Sequence, residues 1–170
     1  MDPVNDALDN GFMYGANFSD CGLYRYLLWR IWDRELPRMN FLMLNPSTAD
    51  ERENDPTVER CQRRANAAGY GGLFVTNLFA YRSTDPAGLS TFRGDPIGPL
   101  NNSWILWAAR QAKVICAWGN HGKLLRRDEE VIRMLRAEKT PLHALRLNAG
   151  NIPAHPLYIP YSEQPVLWGP

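Results

Sequence analysis

Residues 41–50, FLMLNPSTAD, open on four apolar residues and end in a small, polar, proline-containing tail. The apolar run has the composition of a buried strand, and nothing in the tail would keep the chain in the core. The chain therefore leaves the core at Asn45, and the tail is a loop at the C-terminal edge of a strand. In an open α/β sheet that edge is where ligands bind. Three later segments repeat the pattern: LFVTN at 73–77, VICAWGNHG at 114–122 and LHALRLNAGNIPAHPLY at 142–158. The four strand ends carry Asn45, Asn77, Asn120 and His155, which reads as one site assembled from four loops.

Working outward, Asp55-Pro56 is a helix start: the Asp side chain accepts from orphan N–H groups, and proline at the first helical position loses no intrahelical bond. Val58, Cys61, Ala65 and Ala68 recur at helical spacing, with Arg60, Arg63 and Arg64 largely off that stripe, on a face expected to be solvated. Gly69, Gly71 and Gly72 end the helix and return the chain to a strand at 73–76. This is a βαβ unit, with parallel pairing and a right-handed crossover expected. The two dozen residues after Asn77 hold two Asp-Pro pairs, and a loop of that length at a strand end is often functional. Residues 103–111 read as a helix, and Leu124, Leu125, Val131, Ile132 and Leu135 as the stripe of the next one. Arg126, Arg127, Arg133 and Arg136 then fall on its solvated face. Before the main sheet, the alternation through Tyr24, Tyr26 and Leu28 predicts an antiparallel pair or edge strand, with residues 19–22 turning a hairpin into it.

The fold class expected is a single α/β domain over 1–170: a three-layer sandwich around a mainly parallel sheet of four or five strands. Its central strands are placed at 41–44, 73–76, 114–117 and 143–146, and residues 1–10 are expected to be poorly ordered. Nineteen basic and eighteen acidic residues give a formal charge of +1. That balance disfavours a protein that coats a long duplex, so a nucleic-acid partner would be a small piece: a nucleobase, a nucleotide or a short single strand. Three widely spaced cysteines without a CxxC indicate a reduced, cytoplasmic setting and no disulfide framework. The first ten residues lack the pattern of a secretory signal, and no apolar run reaches the length of a membrane span. Three histidines far apart make no metal site, and no cofactor motif is present. Of six tryptophans, most should be core or pocket wall.

Asparagine is a poor acid and a poor base, so three of them at strand ends first suggest recognition. An amide offers donors and an acceptor side by side and matches a nucleobase edge with two parallel hydrogen bonds. Chemistry would fall to Asp50, His155, His121 or a water held by Asn45. Arg82, in the long loop, suits a phosphate or carboxylate. His143, in an apolar strand, reads as an internal, hydrogen-bonded histidine.

The motifs LNPSTAD, DPT, GYGG, NLFA, TDP, AWG and HPLY, across residues 24–160, resemble the domain-of-unknown-function family 1643. That resemblance implies a family and no activity. More distantly, the chain is similar to the uracil-DNA glycosylase superfamily, whose four motifs come in the same order: a polar loop after the first central strand, an Asn closing the next, a strand ending in Trp-Gly, and a late His-Pro loop. The resemblance implies that Asn45, with Pro46 and Ser47, positions a water, that Asn77 reads the base edge, and that His155 stabilises the departing base or sugar cation. A stacking aromatic would be Phe79, Tyr81 or Trp118, beside Asn120. The function expected is nucleobase or nucleotide binding, extending to hydrolysis of an N-glycosidic bond. The alternative is a non-catalytic interaction protein of phage or defence context, and the residues leave open whether the chain is an enzyme.

Overall fold

The computed structural model describes residues 12–170, so the expectation for residues 1–10 lies outside the described residues. The chain starts with a hairpin, β1 (Met13–Phe18) and β2 (Arg25–Ile31), turned at residues 19–22, where the Gly22 N–H donates to Ser19 O. β3 (Arg38–Met43), α1 (Pro56–Ala67) and β4 (Gly72–Asn77) follow as the βαβ unit, with β3 and β4 parallel. The long connection then forms a short α2 (Ala87–Thr91) before α3 (Asn101–Gln111) leads to β5 (Lys113–Cys116). A 3-10 segment at Asn120–Arg126 precedes α4 (Arg127–Ala137) and β6 (Leu142–Ala144). Two-residue strands β7 (Leu147–Asn148), β8 (Ile152–Pro153) and β9 (Val166–Leu167) complete the chain.

The sheet order is β1-β2-β4-β3-β5-β6-β9, with β7 and β8 pairing apart from it. The four central strands run parallel, and antiparallel partners close both flanks. Among the described residues the sheet thus has seven strands, not four or five. The hairpin joins it directly through β2 on β4, and β9 is a two-residue strand with no periodicity to betray it. The fourth central strand ends at Ala144, short of the expected 146.

Helices cover both faces because β3 and β4 are apolar on both. Met39, Phe41, Leu73 and Val75 pack with Val58, Cys61 and Ala65 of α1, whereas Leu42, Val114 and Cys116 pack with Ile105 of α3 and with Val131 and Leu135 of α4. A strand buried on both sides reads as a continuous apolar run, which is why residues 41–44 announce themselves.

Two expectations about arginine are overturned. Arg64 and Arg127 are 3% and 0% exposed, not solvated. The Arg64 guanidinium donates to Ile159 O, Pro160 O and Glu163 O, tying the C-terminal segment onto α1. Arg127 donates through Nε to Leu78 O and through Nη2 to Asn102 Oδ1, and it pairs with Glu130 at 3.0 Å. The stripe drawn through Leu124 and Leu125 also fails. Leu125 and Arg126 have positive φ, which breaks the helix, so α4 starts at Arg127 and Leu125 is exposed. Helical spacing cannot register a left-handed break made by residues that are not glycine.

Candidate functional site

β3 lies between β4 and β5, and the connections from β3 to β4 and from β4 to β5 run over opposite faces of the sheet. The crevice at such a reversal, beyond the C-terminal strand ends, is the expected ligand position in an open α/β sheet. A cleft of about 540 Å³ occupies it. Its rim is held by hydrogen bonds from loop to loop: Leu78 N–H to Met43 O, Phe79 N–H to Leu44 O, Ser83 N–H to Pro46 O and Gly119 N–H to Pro153 O. Gly119 has φ +75°, a left-handed conformation that lets the backbone turn out beside His155.

Asn45, Ser47, Asn77, Trp118, Asn120 and His155 all line this cleft. Asn77 is 2% exposed, and neither Nδ2 nor Oδ1 has a hydrogen-bond partner among the described residues. Asn45 donates from Nδ2 to Pro46 O and Ser83 O, at 3.1 and 2.8 Å, so its amide nitrogen is committed to the loop. Trp118 is buried with its indole N–H unpartnered and meets Trp168 edge-on at 5.7 Å. Asn120 Oδ1 accepts from Asn148 Nδ2.

His155 precedes a single 3-10 turn, Pro156–Tyr158, and its Nδ1 accepts from the Leu157 N–H at 3.3 Å. In the neutral ring the proton therefore sits on Nε2. His155 is an exposed residue, yet protein packed around its ring lowers the pKa by burial, and the Asp55 charge opposes the shift. At neutral pH His155 is a hydrogen-bond donor, not a cation.

Other expected site residues fall elsewhere. The Asp50 carboxylate accepts from the backbone N–H groups of Glu53 and Arg52, which hold it below its usual range, and it does not line the cleft. Phe79 is in the core. Tyr81 stacks on Phe92 at 3.9 Å, and Arg82 lies over the Phe18 ring and donates to Gly22 O. Pro46 is buried, serving the rim through its carbonyl. The Nδ1 of His143 lies 3.2 Å from Val114 O.

Two lining residues carry charge. Asp55 caps α1, its Oδ1 accepting from the Val58 N–H at 2.8 Å, and holds the only carboxylate among the described residues that line the cleft. Arg25 reaches the cleft from β2, the antiparallel strand beside β4. It is 2% exposed; Nη1 donates to Ala49 O at 2.8 Å and Nε has no partner among the described residues. In the sequence Arg25 falls within the strand alternation that runs through Tyr24, Tyr26 and Leu28. The available signal was an arginine in a strand whose aromatic and aliphatic neighbours occupy both faces.

A family model described as protein of unknown function (DUF1643) matches residues 25–157. The chain belongs to this family. The match begins at Arg25 and ends at Leu157, both of which line the cleft. No curated protein and no solved structure matches the chain. Among the described residues, no helix is long and apolar enough to cross a membrane, and no cluster of three or more His, Cys, Asp or Glu is placed to hold a metal ion.

Proposed function

We propose that the cleft binds a nucleobase-bearing ligand and reads the base edge through the Asn77 amide. The observation that carries this is the state of that amide: buried, lining the cleft, and unpartnered at both polar atoms. Buried polar groups are almost always hydrogen-bonded, and one that is not needs a reason. A ligand edge offering a donor beside an acceptor would satisfy both atoms at once. The cleft volume lies in the range of small-molecule sites, and Trp118 supplies an apolar wall. The order of the strand-end motifs supports a uracil-DNA-glycosylase-like fold.

Hydrolysis of an N-glycosidic bond is the reaction this arrangement suits. A water held between the free Asn45 Oδ1 and the Asp55 carboxylate would attack the anomeric carbon and give its proton to Asp55. The C–N bonding pair would pass to the base, where Asn77 and the His155 Nε2–H receive the developing charge.

The test separates recognition from chemistry. Asn77→Asp replaces a donor with an acceptor and adds charge. It should lower affinity for the cognate base by about tenfold to a hundredfold, the equivalent of roughly 1–3 kcal/mol for a mismatched buried group. His155→Ala should leave calorimetric affinity nearly intact while single-turnover cleavage of uracil- or mismatch-containing strands falls by roughly 10²–10³. Equal binding losses in both variants, with no turnover in the parent, would mark a binding module. No thermal-shift response to any base, nucleotide or short strand would refute the reading and favour the interaction protein.

A further inference from the structure

Resting on that reading, we infer that the ligand is a phosphate monoester, a nucleotide rather than a free base or nucleoside, and that Arg25 is the residue that selects it. Four arginines are fully or nearly buried: Arg25, Arg30, Arg64 and Arg127. Arg30 donates to Asn54 Oδ1 and to the carbonyls of Trp29 and Asp50; Arg64 holds three carbonyls; Arg127 has a carbonyl, an amide oxygen and an ion pair. Each of these three is a structural clamp with its donors largely used. Arg25 makes one side-chain hydrogen bond among the described residues, to Ala49 O, and it is the one of the four that lines the cleft.

Burial lowers the Arg25 pKa to about 10, with Asp55 opposing the shift, so the guanidinium remains charged at neutral pH. No carboxylate of the described residues lies within ion-pair distance of it. A buried cation with unused donors is unfavourable until an anion reaches it, and the planar fork matches a phosphate with two parallel hydrogen bonds.

The surroundings favour phosphate. Ser47, Thr57 and Thr84 bring hydroxyls to the same cleft, and α1 begins there, directing the field of its N-terminus into it. Asp55 is the opposing charge. Its Oδ1 is held by the helix and the residue is only half-buried, so its field is better screened by solvent than that of Arg25.

Isothermal calorimetry on the whole chain would compare a nucleoside, its 5′-monophosphate, ribose 5-phosphate, and a short single strand with and without a terminal 5′-phosphate. The monophosphate is expected to bind on the order of tenfold to a hundredfold more tightly than the nucleoside. Arg25→Met should collapse that ratio toward one, with Arg25→Lys intermediate. Asp55→Asn, which keeps the cap and removes the charge, should raise the ratio, and this arm does not depend on an arginine variant folding. Equal affinities in the parent protein, a ratio unmoved by Arg25→Met, or a ratio lowered by Asp55→Asn would each overturn the inference. The terminal-phosphate strand outbinding the mononucleotide would locate the phosphate on a nucleic-acid end; the reverse would assign it to a free nucleotide. Ribose 5-phosphate bound through Arg25 without any nucleoside preference would sustain the anion site and refute base reading. Nucleosides bound through Asn77 regardless of Arg25 would do the opposite.

Discussion

Asn40, within β3, and Asn77, at the end of β4, are both buried asparagines on central strands, yet their positions differ. Asn40 Oδ1 accepts from the Thr76 hydroxyl at 3.1 Å, so part of its amide works within the fold. The Asn77 side chain makes no hydrogen bond to any described neighbour. Replacing an unsatisfied buried polar group with an apolar one of similar shape can be neutral or stabilising. Asn77→Leu should therefore match or exceed the parent in chemical denaturation while losing ligand binding. A destabilisation of more than about 1 kcal/mol would mean that the amide is structural, satisfied in solution by a partner within the fold.

α1 shows how one residue can serve the fold and the site together. Its start follows from Asp55-Pro56, and its buried face is Val58, Cys61, Arg64 and Ala65. Asp55→Ala removes the cap and should cost about 1 kcal/mol, whereas Asp55→Asn, an equally good cap, should cost little. Equilibrium unfolding of the two variants checks this. If both lose the same stability, the charge rather than the cap is what the helix needs. The loop after β5 offers a second case. A Cβ on Gly122 would lie 2.3 Å from Trp118 Cδ1 and 2.9 Å from its Nε1, against the indole that walls the cleft. Gly122→Ala should displace that wall and weaken ligand binding by roughly tenfold, with an overpacking cost of about 1–3 kcal/mol. Unaltered tryptophan fluorescence and unaltered affinity would show that the loop yields instead.

For the molecule as a whole, acid sensitivity should begin earlier than carboxylates alone would produce. Burial lowers the pKa of both His143 and His155, so the native state prefers them neutral. The unfolded chain, with histidines near pH 6.5, then binds more protons as the pH falls below that value. Stability is present in full above about pH 6.5 and declines as the pH drops through the folded values. Thermal melts from pH 8 to pH 5 should show a falling midpoint, and the combined change of His143 and His155 to Gln should flatten the curve. Asp50 and Glu59, both held below their usual range by hydrogen bonds, add a further decline at lower pH. A midpoint that stays level to pH 5 would contradict this sign.

At the same scale, the legible parts of the chain are those written over short distances. The four central strands, the α1 cap, the first hairpin and the cleft-lining Asn45, Asn77, Trp118, Asn120 and His155 all show themselves in runs of a few residues, because burial on both faces of a strand and abrupt polarity at its end are local signals. Which strand edges meet is not local: β2 adds to β4, and β9 to β6, through contacts far apart in sequence. The same holds for charge. Arg25, Arg64 and Arg127 look like surface residues in sequence and are buried because distant carbonyls at Ala49, Ile159 and Leu78 receive them. Asp50 and Asp55 stand five residues apart, and the sequence marks Asp50 for chemistry and Asp55 as a helix cap; the turn closed by the N–H groups of Arg52 and Glu53 occupies the first, and the start of α1 brings the second into the cleft. Amino-acid order is enough to say where the backbone must leave the core, since an apolar run cannot carry a polar tail inside it. Which polar groups are left without partners depends on every segment that folds against them, and only the assembled molecule settles that.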